Sequence, residues 1–125
     1  MSTMRRDDFE HLVDEAIGAL PTEFSQRLDN VEIVVEGWPD PETLRLAQVR
    51  HRTELLGFYH GIPQTKRTHQ YGLILPDKIS IYQHPIEMRC VTPEQIQDLV
   101  FRVVRHEVAH HFGIDDQRLK EINAY

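Results

Sequence analysis

Residues 93–112 limit how this chain can fold more than any other stretch, because they read as one long helix. Thr92-Pro93-Glu94-Gln95 supplies an N-cap, a proline at the first helical position and a capping-box glutamine. Gly113 marks the C-terminal stop. On a wheel of about 3.6 residues per turn, Ile96, Leu99, Val100, Val103 and Val104 share one side, the side that must be buried. His106, Glu107 and His110 fall on that same side. The helix therefore carries three ionisable groups toward the core. Burying them without partners is costly, so the fold must supply partners.

Those residues form the pattern His106-Glu107-Val108-Ala109-His110, followed by Gly113 and Asp116. Histidines four apart lie one turn apart on one face, so both imidazoles can reach one metal ion. The glutamate between them is placed to take a proton from a water activated there. In a chain of this length the five-residue pattern arises by chance in roughly one sequence in several hundred. A lone core histidine usually just bonds a backbone carbonyl. A pair flanking a glutamate inside an apolar face points instead to a metal, with zinc first. Gly113 can turn the chain so that Asp116 comes back as the third ligand. Asp115 is the adjacent alternative and Glu121 a more distant one. His111, about 100° from His110 on the wheel, is expected to pack or support rather than to ligate. The chemistry implied is metal-assisted amide hydrolysis with Glu107 as general base. An oxyanion donor is expected among Tyr59, His60, Tyr71, Tyr82 and His84.

The rest of the chain supplies a scaffold. Residues 7–20 predict an amphipathic helix, with Phe9, Leu12, Val13, Ala16, Ile17 and Leu20 as its core stripe and Pro21 at its end. Val31-Glu32-Ile33-Val34-Val35 predicts a mostly buried strand. Residues 40–53 are ambiguous, with a short helix beginning at Pro41 as one option. Residues 55–59 predict a second strand, and the polar stretch 64–72 a surface loop. Strict alternation in Lys78-Ile79-Ser80-Ile81-Tyr82 predicts a half-exposed strand. Pro85 just after it suits a sheet edge, where an extended peptide could add through main-chain bonds. No repeat or linker interrupts the chain, so one α+β domain over 1–125 is expected.

Charge narrows the partners. Lys and Arg number 14 against 20 Asp and Glu, giving a net charge of -6. Nucleic acid and anionic membrane would favour a basic surface instead. A single cysteine, Cys90, forms no internal disulfide. The N-terminus has no apolar stretch behind its positive charges, so a cytoplasmic location is expected. Small size and an open sheet edge suit a monomer or a weak homodimer.

The 106–116 motif resembles the zincin superfamily of metallopeptidases, with aspartate where metzincins carry a third histidine. More closely, the chain is similar to a family of small bacterial zincin-like metallopeptidases, once known only as a domain of unknown function. Residues 55–63, 75–82 and 105–114 carry this likeness, which covers most of 30–120. It implies a minimal zincin fold, a small mixed sheet packed against an N-terminal helix and the active-site helix. It also implies His106, His110 and Asp116 as zinc ligands, Glu107 as general base, and a peptide or protein substrate. The chain departs from metzincins in having no methionine after Gly113. Only residues 117–125 follow Asp116, so a shallow cleft is expected. Two alternatives follow: a metal-binding or peptide-binding module without turnover that uses the exposed edge strand, and a hydrolase of non-peptide amides.

Overall fold

The computed structural model describes residues 2–28, 31–61 and 77–113. Helix α1 covers Arg6–Gly18 and α2 is the short turn Thr22–Ser25. Strand β1 (Val31–Glu36) leads to α3 (Pro41–Ala47), a 3₁₀ turn (Arg52–Glu54) and β2 (Gly57–His60). Strand β3 (Asp77–Tyr82) runs directly into α4 (Gln83–Met88), and α5 is Pro93–His111.

Helix α5 starts as its sequence requires. The Thr92 hydroxyl accepts the Gln95 N–H at 3.2 Å, and Pro93 sits in the first turn, where its missing N–H costs nothing. Gln95 reaches back to the Val91 N–H at 2.7 Å, one residue earlier than a capping box would place it. Helix α1 buries Phe9, Val13 and Ala16. It ends at Gly18, but Leu20 still reaches the core through the following turn. Asp40 caps α3 by accepting the Thr43 N–H at 2.7 Å, with Pro41 behind it. That resolves the first part of the ambiguous stretch, Pro41–Ala47, as a helix.

The three strands form a mixed sheet in the order β1-β3-β2. Strands β1 and β3 are parallel, with Ile33 opposite Ile79. Strands β2 and β3 are antiparallel, with Gly57 opposite Ile81 and Tyr59 opposite Ile79. Ile79 and Ile81 project from the sheet into a core shared with Phe9, Ile86, Ile96, Val100 and Val104. Full burial of each such side chain is worth about 1.5–3 kcal/mol.

Four expectations about the sheet are corrected. Residues 78–82 form the central strand, not an edge, so they cannot take up an added peptide strand. Strand β1, expected to be mostly buried, is half-buried and, among the described residues, pairs with β3 alone. The alternation in β3 misleads because its polar residue is covered: Ser80 is fully buried, its hydroxyl donating to Glu36 and lying 3.2 Å from His60 Nε2. Pro85 marks no sheet edge either. It lies in the first turn of α4, where the backbone N–H has no helical partner to lose.

Residues 2–6 are fastened to α4 by buried polar groups. The Met4 N–H donates to Glu87 Oε2 at 2.9 Å, and Gln83 Nε2 donates to the Met4 carbonyl at 2.9 Å. Arg6 Nε donates to Gln83 Oε1 at 2.7 Å. No helix among the described residues is long and apolar enough to cross a membrane.

Candidate metal centre

The last two turns of α5 bring His106, Glu107 and His110 together. One donor atom from each lies within 4.8 Å of the others. The two imidazole rings are 4.4 Å apart at 65°, and His110 Nδ1 is 3.4 Å from Glu107 Oε1. The three are not equally deep. Glu107 is 6% exposed, whereas both histidines are only half-buried.

Helix phase explains the difference. Measured from Ile96 at about 100° per residue, Val100, Val104, Glu107 and His111 fall between about +20° and +80°. His110 and His106 fall at about −40° and −80°, on the flank of the buried stripe. The trio does share one side of the helix, but Glu107 alone points inward and the two histidines open sideways.

That same phase buries His111 completely. Its Nδ1 lies 2.7 Å from Oδ2 of Asp77, itself 4% exposed. Tyr59 donates its hydroxyl to the same oxygen at 2.7 Å. A carboxylate only accepts, so His111 carries its proton on Nδ1. No local spacing in the sequence marks Asp77, because it pairs across 34 residues. The available signal was the third histidine itself, whose place on the wheel demanded a buried polar partner.

Strand β2 closes the inner side of the site. A Cβ at Gly57 would stand 2.8 Å from Val103 Cγ1 and 3.1 Å from Glu107 Cγ. The bare glycine backbone lets Glu107 lie directly against the sheet. Beside it is a cavity of about 340 Å³ walled by Leu55, Leu56, Leu99 and Val103, with Arg102, His106 and Glu107 also on its lining. Leu99, Arg102 and His106 share the flank of α5 that His110 occupies, so cavity and histidines open the same way.

The candidate oxyanion donors are dispersed. Tyr59 is engaged with Asp77. His84 pairs with Glu87 at 3.1 Å and stacks near Trp38. His60 and Tyr82 alternate away from Gly57 and Ile81, onto the other face of the sheet. Burial pushes the His60 imidazole below the ordinary histidine value, with Lys78 assisting and Glu36, Asp40 and Glu107 opposing. Burial likewise pushes the Tyr82 phenol up, against hydrogen bonds from Ser80 and Thr43. Tyr71, Asp115, Asp116 and Glu121 lie outside the described residues, as does the loop expected over 64–72.

Imidazole nitrogens four residues apart with a carboxylate between them are a donor set that zinc accepts. The residues present therefore fit such an ion. Residues 28–125 match the model of a family described as zincin-like metallopeptidase, a span of well over half the chain. No curated protein matches the chain.

Proposed function

The chain belongs to the zincin-like metallopeptidase family, and from that premise we propose that it is a zinc-dependent peptidase. His106 and His110 hold the ion, and Glu107 is the general base. The convergence of their three donor atoms within 4.8 Å carries this reading. Asp116 is proposed as the third ligand, with Asp115 as its alternative. Bound zinc would supply Lewis-acid polarisation of the scissile carbonyl and would acidify a water.

The chain's own residues do the rest. Glu107 receives the water's proton on a carboxylate oxygen and passes it to the leaving nitrogen. Its close approach to the Gly57 backbone restricts how far the carboxylate can swing, so the base is held in place before substrate arrives. Leu55, Leu56, Leu99 and Val103 offer an apolar wall for a substrate side chain next to the scissile bond. Among the described residues β2 pairs with β3 alone. Its other edge, beginning at Gly57 beside Glu107, is where an extended peptide would add its main chain.

The test is cleavage of a diverse peptide library by the zinc-loaded protein, read by mass spectrometry. Glu107→Gln should keep the metal and lower turnover by about 10²–10⁴-fold, the usual worth of a general base. Equal, background-level cleavage by both proteins would contradict hydrolysis and leave a metal-binding module.

A further inference from the structure

We propose that Asp77 is a positioning residue for the metal centre: through His111 it fixes the last turn of α5, and with it the direction of His110. The proposal rests on the metal reading above. His110 is the penultimate residue of its helix. The last turn of a helix lacks following N–H groups and frays unless something else holds it. The backbone closes this turn locally. Phe112 N–H donates to Val108 O at 3.2 Å, and Gly113, at φ 74°, donates to His110 O at 2.9 Å. Neither bond ties the turn to the sheet.

His111 makes that tie. It is fully buried, and its partner Asp77 opens the central strand, in register with Val31 of β1. Tyr59, donating to the same Asp77 oxygen, comes from β2. Gly61, just past β2, packs against the carboxylate as well: a Cβ there would stand 2.5 Å from Asp77 Oδ1. One carboxylate thus gathers the end of β2, the start of β3 and the end of α5. Consecutive helical residues are locked about 100° apart, so pinning the ring of His111 sets the phase of His110. That phase is the one at which the His110 donor meets those of His106 and Glu107. Partners behind metal ligands typically account for about 10–100-fold in metal affinity.

His111→Phe keeps a ring of similar size but removes the donor. Asp77→Asn keeps the shape but removes the charge, and it serves as the test should His111→Phe fail to fold. Val13→Ala, in the α1 core, is the control for general destabilisation. Two readouts are needed: amide hydrogen exchange of residues 109–112 in metal-free protein, and zinc affinity by competition with a chromogenic chelator. His111→Phe should speed exchange in that turn at least tenfold and weaken zinc at least tenfold, with Asp77→Asn intermediate. Val13→Ala should lower the thermal midpoint without either selective change. Zinc affinity within twofold of wild type in both site variants overturns the proposal alone. Wild-type protein that takes up no zinc overturns the metal reading, and the proposal with it.

Discussion

Along the first half of α5 the buried side chains are Ile96, Val100, Val103 and Val104, packed with residues of α1 and the sheet. Along its last two turns they include Glu107 and His111, which are polar. The first half is held by apolar area, which is non-directional and tolerates repacking. The second half also buries Val108 and Ala109, but it adds contacts to specific atoms: Asp77 Oδ2 on His111, and the Gly57 backbone against Glu107. One continuous helix thus carries a stabilising half and a half whose geometry has to be correct. Substitutions at Ile96, Val100 and Val104 should move stability and leave the site alone; substitutions in the second half should disturb the site by more than their stability cost explains, and Val103, which also lines the cavity, belongs with them.

The largest expected stability effect tests the first half. Ile96→Ala should cost about 2–5 kcal/mol, read as a lower urea midpoint, while the folded protein keeps its zinc affinity. A matching loss of affinity would break the distinction. Gly57→Ala tests the second half. Its Cβ has to displace Val103 or Glu107, so about 1–3 kcal/mol should be lost to overpacking. Peptide turnover should fall further than that loss alone allows, by up to about 10²-fold, because the proposed base is moved. Crystals of the variant would show the shift of Glu107. Thr92→Ala is the mildest. Removing the cap of α5 should cost about 1 kcal/mol, visible as a lower thermal midpoint with unchanged turnover.

What the sequence revealed follows the same division. Local signals were enough for α5, whose cap, proline and glycine stop lie within its own residues, and for α1 and its stripe. The Asp40-Pro41 pair, a cap followed by a first-turn proline, is a local signal for α3 as well. The motif at 106–110 was legible because its spacing is local. Strand order was not, because it depends on pairing between distant residues. Ser80 reads as a solvent-facing position until Glu36 and His60 are brought over it. Asp77 was hidden for the same reason, since its role exists only once α5 has folded back onto β3. The inward direction of Glu107 and His111, by contrast, is legible on the wheel, where both lie near the centre of the apolar stripe.

The proposed function stands or falls on whether the last two turns of α5 hold a zinc ion. Elemental analysis tests it most directly, on protein purified without chelator or histidine tag, beside a His106→Ala/His110→Ala double variant. About one zinc per chain is expected in the wild type and none in the variant. Wild-type protein that stays free of zinc after exposure to micromolar zinc would contradict the proposed function.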